Sequence, residues 1–186
     1  KDFLAWADSK IHNKPSSIAD IGCGNGNLID CISKLYPNAL IYGVDLAEEV
    51  LEPAKSRFSK ADKITFRVGS LERLPFPDNS LDLVTCTEVL EHTFHKTFTS
   101  SFSEVRRVLK VGGHYLASVP FNEKPAFVCC PECGSVFTPY QHMIFEISRD
   151  DISELLLKNG LEIATFYQSL DRSEPSNLIK RVAKST

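Results

Sequence analysis

The passage that most restricts the fold is Asp20-Ile21-Gly22-Cys23-Gly24-Asn25-Gly26. It lies where the apolar run Ile18 to Cys23 gives way to Leu28 to Leu35, whose apolar groups recur as one face of a helix does. The order is strand, glycine turn, helix. Three glycines permit positive φ and let bare backbone approach a ligand closely, which side chains there would forbid. A plain tight turn needs only one or two, so the passage predicts a binding turn at the carboxyl end of a strand.

The alternation continues. Leu40 to Val44 is a second apolar run closed by Asp45, and Ala47 to Phe58 is charged and helical in pattern, with Pro53 expected to bend or delay it. Ile64 to Val68 and Leu81 to Cys86 read as buried strands, separated by the loop Leu74-Pro75-Phe76-Pro77-Asp78-Asn79-Ser80. Phe98 to Leu109 sets Phe102, Val105 and Leu109 on one helical face, and Gly112-Gly113 is expected to close that helix before the strand His114 to Val119. Ser148-Arg149-Asp150-Asp151 supplies an N-cap and an acidic first turn for a helix to Lys158, stopped by Asn159-Gly160. Leu161 to Tyr167 and Leu178 to Val182 can then pair around the polar turn Asp171 to Ser176. Near-continuous apolar strands alternating with helices imply an α/β fold with a mostly parallel sheet covered on both faces.

Size and charge narrow the function classes. At 186 residues the chain is expected to form one domain, residues 1–186. Hydrophobic residues at 42% and charged ones at 24% match a globular composition. The formal charge of −3 is spread without long single-sign blocks, so nucleic acid is not the favoured partner and a small molecule is. No stretch reaches the roughly 20 apolar residues of a membrane span, and Lys1 to Lys10 lacks a signal-peptide core, so a cytoplasmic setting is expected. The chain starts without Met, which leaves room for a trimmed segment.

Two cofactor classes use such a turn. A dinucleotide fingerprint would place its third glycine at position 27, which is Asn27, whereas here it is Gly26. Asp45 suits the ribose hydroxyls of either cofactor, but Asp20 before the glycines would oppose a pyrophosphate and accommodate a zwitterionic amino acid. The ordered set Ile18 to Gly26, Tyr42-Gly43-Val44-Asp45, Leu74 to Val84 and Glu104 to Gly113 resembles the class I S-adenosylmethionine-dependent methyltransferases, in the group with an E/D-x-G-x-G-x-G first motif.

That resemblance implies a doubly wound, seven-stranded sheet with an antiparallel last strand, and S-adenosylmethionine as cofactor. It assigns the methionine part to Asp20, Gly22, Cys23, Gly24 and Gly26, the ribose to Asp45 and the adenine to Leu46, Ser70 and Leu71, with Thr87 closing the next strand. Ser70 stands where the family often has Asp, so adenine gains only a hydroxyl.

Past that strand, Thr87-Glu88-Val89-Leu90-Glu91-His92 carries Glu88, Glu91 and His92 at i, i+3, i+4, one side of a helical turn. Glu-His pairs here are widespread in the family without metal, so capping and hydrogen bonding are one reading, and Glu91 or His92 as general base is another. With His142 added, the four side chains suit Mg or Mn and resemble the arrangement of small-RNA 2′-O-methyltransferases and some quinone-precursor O-methyltransferases. The acceptor is then an RNA 3′ end or a catechol-like molecule, though the low basic content does not favour RNA.

Cys129-Cys130-Pro131-Glu132-Cys133-Gly134 resembles half a zinc knuckle, for which Cys129, Cys130, Cys133 and His142 are the available ligands. Related inserts carry His where this chain has Thr138. A redox C-x-x-C is the remaining option, but such pairs normally open a helix and this one reads as loop. Cys23, Cys31 and Cys86 read as buried packing groups. Residues 120–145 form the candidate lid over the acceptor site. Two rivals stand beside the methyltransferase: a nicotinamide-dependent reductase and a cofactor-binding module that transfers nothing.

Overall fold

The computed structural model describes residues 2–121, 123–168 and 178–185. A short helix α1 (Asp2–Asp8) leads into β1 (Ser17–Ile21), α2 (Asn27–Leu35), β2 (Leu40–Asp45), α3 (Glu48–Arg57) and β3 (Ile64–Val68). Then come β4 (Leu81–Thr87), a single 3₁₀ turn (Leu90–His92), α4 (His95–Val108) and β5 (Leu109–Pro120). A two-stranded ribbon, β6 (Val128–Cys129) and β7 (Val136–Phe137), precedes α5 (Arg149–Lys158), β8 (Leu161–Gln168) and β9 (Leu178–Ser185). The turn expected at Asp171 to Ser176 lies outside the described residues.

Seven strands form one sheet in the order β3-β2-β1-β4-β5-β9-β8. The first five are parallel to their neighbours, and β9 runs antiparallel to both β5 and β8. This is the doubly wound, mostly parallel sheet with an antiparallel last strand. Side chains alternate between two cores, as a sheet covered on both faces requires. Ala19, Ile21, Val84, Cys86, Tyr115 and Ala117 pack beneath α4 and α5. Ile18, Leu83 and Leu116 face α1, α2 and α3 through Leu4, Ile29, Ile32 and Leu51.

Three local expectations change. Pro53 does not delay α3, which starts at Glu48 and runs through it, α4 begins at His95 rather than Phe98, and α4 ends at Val108 rather than at the glycine pair. Gly112 and Gly113 lie inside β5, next to the register shift between Leu81 and Leu83. A Cβ on Gly113 would fall 2.9 Å from the Lys110 carbonyl oxygen, so the pair serves an irregular strand rather than a helix cap. The loop from β3 to β4 is bound to α4. The guanidinium of Arg107 donates to the carbonyls of Leu74 and Phe76 and to Asp78 and Glu104, and Glu104 accepts the Leu74 N–H at 2.7 Å.

Candidate active site

The strand order reverses between β1 and β4, and the chain leaves the two strands toward opposite sides, which opens a crevice at their carboxyl ends. Gly22, Gly24 and Gly26 all take positive φ there. A Cβ at Gly22 would lie 2.3 Å from Val89, and one at Gly26 would lie 2.8 Å from the Phe58 ring, so both positions need bare backbone for space as well as for φ. The Gly24 N–H donates to Asp45 Oδ2 at 2.9 Å, and the Leu46 N–H donates to Oδ1 at 2.8 Å. The glycine turn and the end of β2 are thus joined through one carboxylate.

A cleft of about 400 Å³ follows, walled by Ile21, Gly22, Asp45, Leu46, the 69–72 segment, Val89, His92 to Phe94 and Thr97 at the start of α4. Leu46 and Leu71 give it apolar wall beside Ser70, whose Oγ accepts the Arg73 N–H at 3.3 Å. A wider depression, about 570 Å³, is walled by Arg73 to Pro77, Glu104 and Arg107. It is the outer side of the loop brace and contains no glycine backbone.

Of the residues expected to hold the cofactor, Gly22, Asp45, Leu46, Ser70 and Leu71 line the cleft. Asp20 lies behind it, 2% exposed, accepting from Thr85 Oγ1 at 2.7 Å. Burial, with the charge of Asp45 adding to it, pushes its carboxyl up to about 7. Cys23 is buried in the second core, and burial with the nearby acids pushes its thiol up to about 12, so it packs rather than reacts. Gly24 reaches the cleft through Asp45, Gly26 supports the turn against Phe58, and Thr87 ends β4 opposite Ser118 without lining the wall.

A family profile described as a methyltransferase domain matches residues 19–117, more than half of the chain, and spans every strand that builds this crevice. The chain belongs to the methyltransferase domain family. It is 31% identical over 131 residues to an uncharacterized methyltransferase of Schizosaccharomyces pombe, covering 66% of this chain and 42% of that one. It is 34% identical over 131 residues to a demethylmenaquinone methyltransferase of Symbiobacterium thermophilum, covering 66% and 49%. A solved structure of a SAM-dependent methyltransferase from Methanosarcina mazei superposes with a TM-score of 0.77 at 20% identity over 96% of each chain. The methyltransferase domain spans half or less of the length of these two curated relatives.

The 3₁₀ turn carries Glu91 and His92, and His92 lies on the cleft wall. Glu91 is 1% exposed, and among the described residues neither carboxylate oxygen has a hydrogen-bond partner. Burial, with Glu88 and Glu123 adding to it, pushes its carboxyl up to about 8. The backbone N–H groups of Met143 and Ile144 donate to the Glu91 carbonyl at 2.7 and 3.1 Å, which docks the candidate lid onto the turn. That docking brings His142 to His92, their rings 4.8 Å apart and edge to face. Burial, the leading effect, draws His92 below the usual histidine range.

The expected helical face of Glu88, Glu91 and His92 does not form. Glu88 takes φ of 55° and accepts from Ser118 Oγ at 2.6 Å, while the turn that follows is only three residues long. Among the described residues the one group of three potential metal ligands is Glu91, His92 and His142, with one ligand atom of each within 4.8 Å of the others. Sequence reasoning missed Glu123, whose Oε2 meets His142 Nδ1 at 2.5 Å, and also Val89, Thr93, Phe94 and Thr97 in the cleft wall.

The structure does not bring His142 to the cysteines. Cys129 and Cys133 are exposed on the ribbon, and the turn between the strands is closed by Gly134 N–H to the Cys130 carbonyl and by Cys130 N–H to the Ser135 carbonyl. Cys133 Sγ donates to Ser135 Oγ at 3.2 Å, and that hydroxyl, the Ser135 N–H and Cys130 draw its thiol down to about 7. The ribbon therefore presents a C-x-x-C loop to solvent, apart from the imidazoles.

Proposed function

We propose that this domain transfers a methyl group from S-adenosylmethionine to an acceptor of small-molecule size. One observation supports this most directly: a glycine turn too crowded for any Cβ at Gly22, tied through Gly24 to the acid that ends β2, inside a cleft at the switch point of the sheet. The residues fit the compound. Asp45 offers carboxylate oxygens to a ribose diol, Leu46 and Leu71 offer apolar surface to a purine, and Asp20 provides an acid behind the turn for an ammonium or sulfonium charge. When bound, the compound supplies a methyl group already activated on sulfur, so the protein's work is alignment and exclusion of water.

The chain's own part in the chemistry falls to the turn after β4. His92 lines the cleft, and its depressed basicity leaves the imidazole neutral near pH 7, able to take a proton from an acceptor hydroxyl. Glu91 beside it, pushed up to about 8 by burial, serves as a base only after losing its own proton, so His92 is the first candidate. A relative described as a demethylmenaquinone methyltransferase supports an acceptor of small size, as does a charge pattern without basic blocks.

Titration calorimetry with adenosylmethionine, adenosylhomocysteine and NADH tests the reading. We expect binding of the first two, weakened at least tenfold in Asp45→Ala, and none of NADH. Binding of NADH alone would overturn it in favour of a reductase. If the cofactor binds but a metabolite library gains no methyl mass, the domain is a binding module rather than an enzyme.

A further inference from the structure

We infer that Glu91, His92 and His142 form a binding site for one divalent transition-metal ion, with Glu123 and the Gln141 carbonyl as its outer hydrogen-bond partners. The inference rests on the methyltransferase reading only for its use, and it replaces the His92 base of that reading, since a ring nitrogen held by an ion no longer accepts a proton; the ion site itself stands on its own geometry. Three observations carry it.

The first is Glu91 itself. A carboxylate 1% exposed with two oxygens lacking any partner is an expensive arrangement, costing about 1–3 kcal/mol for each unsatisfied buried group, and more when charged. A cation at those oxygens removes the penalty. Among the described residues no Lys or Arg pairs with them, and the groups beside Glu91 are His92, His142, Glu88 and Glu123.

The second is how the imidazoles are held. Histidines that bind metal commonly donate the other ring N–H to a carboxylate or carbonyl, which fixes tautomer and orientation. Here the Nδ1 of His142 meets Glu123 Oε2 at 2.5 Å, and the Nδ1 of His92 meets the Gln141 carbonyl at 3.3 Å. Both rings therefore use Nδ1 for an outer partner, which leaves Nε2 of each as the ligand atom.

The third is the set of donors. Two imidazoles and one carboxylate suit zinc, manganese, iron or cobalt better than magnesium or calcium, which favour oxygen. Three protein ligands also leave coordination positions open, and His92 lies on the cleft wall where an acceptor would enter. Glu88, held by Ser118, is no part of the group. The ligand atoms spread to 4.8 Å, wider than the roughly 3–3.5 Å set by metal–ligand bonds of about 2.1 Å. The ion must draw them inward. His142 and Glu123 both belong to the candidate lid, so ion binding pulls that segment onto the cleft.

The test uses chelator-stripped full chain titrated with Mn²⁺, Zn²⁺ and Co²⁺. We expect one ion per chain, visible d–d bands of Co²⁺ shifted by nitrogen ligands, and protection of residues 141–144 in hydrogen exchange. Glu91→Gln and His142→Ala each weaken Mn²⁺ binding at least tenfold. Glu123→Gln weakens it by about 10–100-fold through loss of the outer bond. Because His142→Ala removes a buried ring and can disturb folding, the exposed His92→Asn serves as the second variant, with circular dichroism as the check. A Cys130→Ser/Cys133→Ser double variant keeps the Mn²⁺ site. The inference fails if stripped protein binds no Mn²⁺ or Co²⁺ below millimolar levels, or if binding survives His92→Asn and disappears with the thiols. Adenosylmethionine binding measured on the same samples separates the two readings: cofactor without ion sinks only this inference, and ion without cofactor sinks only the methyltransferase mechanism.

Discussion

Asp20 shows how a single side chain couples the site to pH. Its carboxyl is buried behind the glycine turn and pushed up to about 7, against an ordinary value of 3.8. An acid whose folded value is raised contributes stability that is fully present below the unfolded value and is lost as pH rises through the folded one. The native state thus weakens between about pH 4 and 7. At ~1.4 kcal/mol for each decade of acidity, the loss reaches a few kcal/mol by pH 8. Asp20→Asn keeps an oxygen for the Thr85 hydroxyl and cannot ionise. Urea unfolding should therefore show the variant gaining on the parent chain from pH 4 to 8, and a constant difference across that range would refute the burial argument.

At the same scale, some residues were legible in the sequence and others were not. Gly22, Gly24, Gly26 and Asp45 are local signals, because positive φ and a strand end leave marks on neighbouring positions. Val89, Phe94 and Glu123 leave none: they reach the site only because distant segments fold back onto it. Glu88 misled, since its i, i+3 spacing from Glu91 presumes a helix that its own left-handed backbone prevents.

Among the elements, the β3–β4 connection depends on α4 for its shape. It contains no helix between Gly69 and Ser80, and its carbonyls at Leu74 and Phe76 are satisfied by Arg107. Arg107→Ala should cost roughly 2–3 kcal/mol, because it orphans charged partners and loop carbonyls together. A double-mutant cycle with Glu104→Gln is the measurement, and a coupling near zero would mean the brace is decorative. Strands β1, β4 and β5 were readable because their largely buried apolar runs stand out from the helices between them, whereas β3, expected to be buried, is an edge strand with no buried residue and carries Thr65 and Arg67. The helix α1 was not, for seven residues with Leu4 and Ala7 buried are too few to show a period. The glycine pair at 112–113 resembles a helix stop but serves a strand irregularity, a distinction that only the pairing with Leu81 and Leu83 reveals.

The whole sheet divides into a half that carries the crevice, β3-β2-β1-β4, and an outer half, β5-β9-β8. The family profile covers the first and reaches β5, which is why the crevice was more legible than the lid. Removing residues 178–186 deletes β9 and leaves β5 and β8 without the strand that pairs with both. We expect such a chain to lose its cooperative thermal transition and to bind a hydrophobic dye, a result that a sheet held mainly by β1 to β5 would not give.

Because β9 lies between β5 and β8 and runs antiparallel to both, the last two strands can pair with each other first and join the sheet through the later one. Before they dock, β5 is the open edge of the parallel sheet, a row of amide and carbonyl groups that a stray strand from another molecule would fit.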